Sequence, residues 1–390
     1  MKILHIIRGL ANSSGTTHVV GQLSEAQAKL GHNVVICFVD KLGEDPQRPD
    51  ARLVETRAFS MTLTSHQYGW SRPFHAALQQ YIGLFDVVHI HAIWNFPTWC
   101  AMRESYHAGV PYIVAPHGSL DSFALRRNRV FKRVYGKLIE KPLFDRASRI
   151  HALTDNEATQ CRRYGIRVPT EVLPNGLDLT RVDQFAVAAD IHTELGLAST
   201  ERLLLFMGRL DPKKGLDVLV TAFARLLTHQ SDITLLIAGH DAGTGYRDEI
   251  VRQIVDTGVS SKIRFLGQLD GARKVSVLRA VDLFVLSSYS EGLPVAVLEA
   301  MGARLPVIIT PACNLPEVRD SKAGWITKPD VNSLFQTLNI AFKMPEELRR
   351  RGRRARQLVE LRFTWLRIAQ DSIRIYREMS GSPGSCVGDT

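Results

Sequence analysis

The stretch Ser288 to Ile309, SYSEGLPVAVLEAMGARLPVII, places two carboxylates in a strongly apolar setting. Pro294 suits the first position of a helix, where its missing N–H costs nothing. A helix starting there stacks Val295, Leu298, Glu299 and Gly302 on one face, and leaves no side clearly wet. A carboxylate at Glu299 then needs a partner, because an unpaired buried ion costs several kcal/mol. A salt bridge to a nearby Arg or Lys is one answer. Glu291 lies eight residues earlier, just before the helix.

A second group of residues points to anion chemistry. In LLLFMGRLDPKKGLDVLVTAF, residues 203–223, a strand ends at Met207 and Gly208 allows close approach. Arg209 and Lys214 then flank the carboxyl end of that strand, beside a helix that begins near Leu216. A forked guanidinium and a compact ammonium there would meet a diphosphate; otherwise they are two exposed cations on an ordinary loop. Lys213 occupies the position where a P-loop needs its second glycine. AGHDAGTGYRDE, residues 238–249, has Asp248 where a dinucleotide fingerprint needs its third glycine, which disfavours a nicotinamide enzyme. In NSSGTTH, Gly15 either admits a phosphate near the amides of Thr16 and Thr17 or belongs to a capped helix start.

Histidines mark two further strand ends. VVHIHAIWNFP sets His89 and His91 on one side of a strand with Trp94 beyond, and IVAPHGSLD sets His117 on a Pro-His-Gly turn near Asp121. Two histidines suit zinc, but no convincing third ligand accompanies them, and packing by hydrogen bonds is the expected role of His89. His117 is expected to be functional. The chain contains no Asp-x-Asp pair to hold a divalent ion, so no metal is expected.

The elements that must position these residues are short β-branched runs alternating with amphipathic stretches. Strands are expected at 3–7, 34–39, 86–90, 112–115, 150–153 and 171–173, then at 203–207, 234–238, 263–266, 283–286 and 307–310. Such runs separated by helices predict α/β architecture with parallel sheets, twice. The PNGLD turn opens a weakly patterned segment, which puts the boundary after residue 178. The expected layout is 1–178, then 179–362, a last helix at 363–379 and a disordered tail at 380–390. At 390 residues, two domains of about 150 residues each are accommodated.

No apolar run reaches the roughly 18 residues of a membrane span, and MKILHIIRGL reads as a first buried strand rather than a signal peptide. Five scattered cysteines without metal-ligand spacing suggest a reducing compartment, so the cytoplasm is expected. Net charge is +10, with nine Lys or Arg between Arg126 and Arg149 interleaved with apolar residues. This segment either lies on an anionic membrane surface or packs on the core with a solvated basic face. No nucleic-acid-binding module is recognisable.

FMGRLDPKKG followed by SEGLPVAVLEAMGARLPVI strongly resembles the retaining glycosyltransferases of family 4, the group 1 transferases. PHGSLD and LPNGLD match family positions in the first domain and hinge, and HIHAIWN and APHGSLDSFALRRN look like bacterial, especially cyanobacterial, exopolysaccharide members. The resemblance covers nearly the whole chain. It implies a GT-B fold, with two Rossmann-like doubly wound domains facing an interdomain cleft and a final helix crossing back to the first.

By the same resemblance, Glu299 binds the ribose hydroxyls, and Glu291 contacts the donor sugar with the amides of Gly292 and Leu293. Arg209 and Lys214, beside Gly208, hold the diphosphate, Gly15 lines the phosphate pocket, and His117 lies at the sugar. His91, Trp94 and Asp121 are acceptor-side candidates. Gly15 follows Ser14 where the family usually has Gly-Gly. A vicinal diol donating two hydrogen bonds would satisfy a buried Glu299.

The implied activity transfers a hexose, with UDP-glucose the preferred donor, to a glycan or lipid-linked oligosaccharide. It is metal-independent, has retention by same-face attack and no protein nucleophile, and takes place in the cytoplasm at the inner face of the plasma membrane. The leaving phosphate's growing charge would be stabilised by Arg209 and Lys214. A sugar-nucleotide epimerase, a glycan phosphorylase and a non-catalytic polysaccharide- or membrane-binding scaffold are the alternatives. The epimerase needs no acceptor, the phosphorylase needs free phosphate, and the scaffold neither hydrolyses donor nor responds to UDP.

Overall fold

The computed structural model describes residues 1–10, 15–40, 48–62, 68–121, 125, 135–184, 190–241 and 243–381. Seven short strands form the first sheet: β1 (Lys2–Ile7), β2 (Asn33–Asp40), β3 (Glu55–Ser60), β4 (Val87–His91), β5 (Tyr112–Ala115), β6 (Arg149–Ala152) and β7 (Thr170–Val172). All are parallel, in the order β3-β2-β1-β4-β5-β6-β7. The second sheet comprises β8 (Arg202–Met207), β9 (Ile233–Ala238), β10 (Ile263–Gly267), β11 (Leu283–Leu286), β12 (Val307–Ile309) and β13 (Gly324–Ile326). It too is parallel, in the order β10-β9-β8-β11-β12-β13. Central strands such as β1, β4, β5, β8, β9 and β11 are buried on both faces, which explains their continuous apolar runs.

In both sheets the strand order reverses beside the first strand of the series, between β1 and β4 and between β8 and β11. Such a switch point opens a crevice at the carboxyl ends of the strands, where ligands of doubly wound sheets bind. His5, His89 and His91 stand at the first switch point, and Met207 to Arg209 and Ser287 to Glu291 follow the strands of the second.

The chain divides into one unit of Met1–Gly176 with Trp365–Thr390 and another of Leu177–Thr364. The helix Trp365–Gly381 belongs to the first unit and packs on the helix Gly15–Lys29. Its buried face carries Trp365, Ile368, Ile373, Ile375, Tyr376 and Met379, side chains worth on the order of 1.5–3 kcal/mol each when buried. Gly176 is required where the chain leaves this unit, because a Cβ there would lie 2.6 Å from the Trp365 ring.

Some elements differ from expectation. Strands β3 and β13 were not predicted; both are sheet edges, half solvated or only three residues long, and lack the apolar run of a central strand. Pro294 is the residue before the helix Val295–Gly302, with extended backbone, rather than its first residue. That helix is not closed all round, since Val295, Ala296 and Glu299 are half-buried. The basic segment lies partly outside the described residues, at 126–134, as does the tail at 382–390. Within its described part, Tyr135 turns inward while Leu138 and Ile139 are exposed, so no single apolar stripe joins them. Cys37, Cys100, Cys161 and Cys313 are buried free thiols, their pKa raised by burial. Among the described residues no helix is long and apolar enough to cross a membrane.

Candidate active site

In the second unit, the loop after β8 doubles back as a short 3-10 turn, Pro212–Lys214, capped by the Asp211 carboxylate on the Lys213 N–H at 3.1 Å. Gly215 then starts the helix Leu216–Leu227 with φ +65°, and a Cβ there would lie 2.2 Å from the Ser287 carbonyl oxygen. Only glycine permits this approach. Ser287 reinforces it by donating its hydroxyl to the Gly215 carbonyl at 2.7 Å, and the Tyr289 N–H donates to the Lys213 carbonyl at 2.7 Å. The loops after β8 and β11 are thereby fastened together.

This fastening sets Lys214 against Glu291. The ammonium donates to Glu291 Oε1 at 2.6 Å, and the Ser288 hydroxyl donates to the same oxygen at 2.6 Å. The Glu291 side chain is 8% exposed and that of Lys214 15%. One of three ammonium protons is used in this bond, leaving two for another acceptor. Asn314, at φ +57°, donates its amide to the carbonyls of both Glu291 and Gly292 at 2.8 Å. Because a trans peptide sets N–H opposite C=O, the amides of Gly292 and Leu293 point away from Asn314. Neither has a protein acceptor among the described residues. The result is an ammonium, a carboxylate and two oriented amides at the switch point, a set suited to an anion with a neighbouring hydroxyl.

Glu299 is paired separately: Lys274, on the helix Gly271–Ala280, donates to its Oε1 at 2.6 Å. Arg209 is exposed and bonded to Asp211 Oδ2 at 2.9 Å. Gly208 borders the Lys214 stem, with 3.7 Å between a notional Cβ and Lys214 Cε.

In the first unit, β1 and β4 bring His5 opposite His89 in register. His91 Nε2 lies 2.8 Å from His5 Nδ1, and His91 Nδ1 lies 3.0 Å from His117 Nε2. His117 sits on a tight turn, with φ +51° at His117 and +75° at Gly118, closed by the Ser119 N–H on the Pro116 carbonyl at 3.2 Å. A non-glycine residue held in this region marks a position the surroundings impose. Glu157 holds the turn by accepting the Gly118 N–H at 2.5 Å and the Leu153 N–H at 2.7 Å. Asp121 extends it with its own N–H on the Gly118 carbonyl at 3.2 Å. Burial keeps the histidines neutral: it lowers the pKa of His117 to about 3 and of His5 and His151 to about 4, and drives those of His89 and His91 well below the usual value.

Comparison with known proteins bears on both units. Residues 187–358 match the model of the glycosyl transferases group 1, and residues 13–181 match that of Glycosyltransferase Family 4. The chain is 30% identical over 308 residues to a phosphatidyl-myo-inositol mannosyltransferase of Mycobacterium tuberculosis, covering 77% of this chain and 75% of that one. It belongs to glycosyltransferase family 4. A D-inositol 3-phosphate glycosyltransferase of Nocardia farcinica is 30% identical over 306 residues, covering 76% of this chain and 67% of the relative. Among solved structures, Anabaena HepE in complex with UDP superposes with a TM-score of 0.78 at 19% identity, covering 97% of this chain and 100% of that one. Sucrose-phosphate synthase of Thermosynechococcus elongatus gives 0.76 at 22%, covering 97% and 99%. The fold is thus GT-B, two Rossmann-like parallel-sheet domains.

For this family 4 transferase, the structure gathers Gly208, Lys214, Glu291, Gly292 and Leu293 and keeps Arg209 and Glu299 on other partners. A salt bridge answers the Glu299 carboxylate, with Lys274 as its partner. A nucleotide diol at Glu299 must therefore share or displace that ammonium. His91 is corrected as an acceptor-side candidate, because its side chain is fully buried and both ring nitrogens are engaged. Trp94 is half-buried against Tyr135 and Tyr164, with its backbone N–H on Glu140 Oε1 at 2.8 Å. Gly15 is exposed at the first position of its helix, with no atom within 4 Å of a notional Cβ; Ser14 lies outside the described residues.

His5 adds a third histidine to the pair on β4: ligand atoms of His5, His89 and His91 lie within 4.8 Å of one another. All six ring nitrogens of the three are already hydrogen-bonded within the protein. Lys274, Ser288, Asn314, Gln27 and Glu157 were also missed. His5 carried a signal, a polar residue interrupting a buried strand; the others are ordinary polar residues on helices and loops.

Proposed function

We propose that the transferase is retaining and moves a hexose, glucose from UDP-glucose, to a glycan or lipid-linked oligosaccharide acceptor in exopolysaccharide synthesis at the cytoplasmic face of the membrane, without a metal. The observation that carries this reading is the Lys214–Glu291–Ser288 constellation beside the Gly292 and Leu293 amides. An ammonium and two amides suit the diphosphate, and a carboxylate suits the sugar hydroxyls next to it. As the sugar–phosphate bond breaks, charge grows on the leaving phosphate, and donors already oriented there favour the transition state over the ground state. Lys214 is held by Glu291 until the phosphate arrives, so little reorganisation is needed. In the first unit, His117 on its strained turn serves as the sugar-positioning group.

Exposed Leu138 and Ile139 within the basic segment support a membrane-facing role and a lipid-linked acceptor. HepE, described in complex with UDP and glucose, supports the donor. The inositol-phosphate relatives support a second reading, in which the acceptor is an inositol phosphate or its lipid. A donor-hydrolysis screen across UDP- and GDP-sugars, followed by transfer to glycan and inositol-phosphate acceptors, tests both. Preferential release of glucose from UDP-glucose is expected; turnover of GDP-mannose alone would overturn the donor assignment.

A further inference from the structure

Five buried or half-buried histidines in the first unit form one hydrogen-bonded chain whose direction can be settled group by group. His151 Nε2 lies 2.7 Å from the Leu173 carbonyl, which can only accept, so that nitrogen carries the proton. Its Nδ1 must then accept from His89 Nε2, 3.0 Å away, and His89 Nδ1 must accept from the Tyr376 hydroxyl, 2.6 Å away. Tyr376 in turn accepts from the Gln27 amide nitrogen at 3.2 Å. The same nitrogen donates to Ser372 Oγ at 2.9 Å, whose own proton goes to the Ala369 carbonyl at 2.8 Å. Tyr376, its proton committed to His89, can only accept from Gln27, so it fixes which way the amide faces, and the Ser372 contact agrees.

The Gln27 carbonyl oxygen therefore faces His5 Nε2 at 2.8 Å and accepts its proton. His5 Nδ1 accepts from His91 Nε2, and His91 Nδ1 accepts from His117 Nε2. Every donor finds an acceptor without reversal, and every histidine comes out with its proton on Nε2. His117 Nδ1 is left as the single ring nitrogen of the five without a partner among the described residues.

We infer that Gln27, held by Tyr376 and Ser372 and acting through His5 and His91, is a positioning residue that locks His117 in its Nε2–H tautomer, so that Nδ1 presents a lone pair to a substrate hydroxyl. The catalytic consequence rests on the reading of His117 as a site residue; the lock itself does not. The anchor lies on the helix Trp365–Gly381, which gives that C-terminal segment a part in the site beyond packing. The chain ends on a backbone carbonyl, which takes no proton, so it orients His117 and does not drain protons from it. An imidazole held this way accepts from an O–H and rejects an acceptor-only group.

The test uses the full chain labelled with 15N-histidine, read by long-range 1H–15N spectra at neutral pH, with His117 assigned by loss of its signal in His117→Asn. All five rings are expected with the proton on Nε2. A proton on His117 Nδ1, or an imidazolium, overturns the lock. Gln27→Leu removes the acceptor for His5 and is expected to leave His117 in a mixture of tautomers. Transfer kcat then falls up to about tenfold in proportion to the lost population, with donor KM within about twofold.

Should Gln27→Leu fail to fold, Gln27→Met, which keeps the length of the side chain but carries no amide, is expected to give the same mixture. Loss of kcat in a folded variant whose His117 signal keeps the Nε2–H form would show a merely structural role and overturn the inference. If the wild-type protein transfers no sugar, the functional reading fails while the spectra still decide the lock.

Discussion

Two polar clusters stand at corresponding switch points of the two sheets and are held in opposite ways. In the first unit, rings and amides are neutral, buried and chained by directed hydrogen bonds. In the second, opposite charges meet in pairs, Lys214 with Glu291 and Lys274 with Glu299, at partly open positions. A neutral chain fixes direction and costs little to bury, whereas an ion pair keeps a movable charge ready for a ligand and, where it is buried as Lys214–Glu291 is, loses more when broken. The first arrangement suits orienting a sugar, and the second suits answering a charged leaving group.

The largest effect is expected at the charge pair. Lys214→Ala should lower kcat by about 10²–10³, the scale of losing one preorganised donor to a developing anion, while Ser288 still partners Glu291. Steady-state rates with circular dichroism of the variant check this; wild-type rates in a folded variant would remove Lys214 from the mechanism. Next is Gly215→Ala, which forces a Cβ onto the Ser287 carbonyl at a left-handed φ. It should destabilise the second unit by about 2 kcal/mol or more, seen in thermal unfolding.

The neutral chain predicts a loss of stability between pH 7 and pH 5 in the first unit, above the range where the lowered carboxylates of the second unit, such as Glu201 and Asp232, take up protons. His5 and His151 have native pKa values of about 4, against about 6.5 when unfolded. Below pH 6.5 the unfolded chain binds more protons, so stability falls as pH drops from 6.5 toward 4 and levels off below that. Each contributes at most about 1.4 kcal/mol per pH unit. Hydrogen exchange at pH 7 and pH 5 should show protection lost around β1 and β4 before β8 and β11; equal loss in both would contradict the contrast.

Glu140 has the opposite sign. Burial raises its carboxyl to about 8, so between pH 4.5 and 8 the unfolded chain ionises while the native one does not, and stability falls as pH rises. Glu140→Gln should raise the melting temperature, with a gain that grows from pH 5 to 8. The smallest effect is expected from Lys274→Ala, whose partly exposed pair with Glu299 is worth about 1 kcal/mol or less.

How much of this was legible in the sequence follows burial. The central strands could be read because both faces are covered and their runs are apolar, whereas β3 and β13 at the edges carry no such pattern. Glu291, Lys214 and His117 stood out as charged or titratable residues at strand ends, and the resemblance to family 4 gave them roles. Lys274 could not be foreseen, since one lysine on an amphipathic helix resembles any other until packing aims it at Glu299. The histidine chain escaped for a related reason: His5, His91 and Gln27 meet only through strand register and helix docking, which spacing along the chain does not encode.

The role proposed for Lys214, parked on Glu291, is to bind a nucleotide's diphosphate. Calorimetric titration of UDP and of uridine into the wild type and Lys214→Ala tests it most directly. UDP binding at least about tenfold weaker is expected in the variant, the loss of one charge-assisted contact of about 1.4 kcal/mol or more, with uridine affinity unchanged. UDP binding to a folded Lys214→Ala at wild-type strength would contradict it.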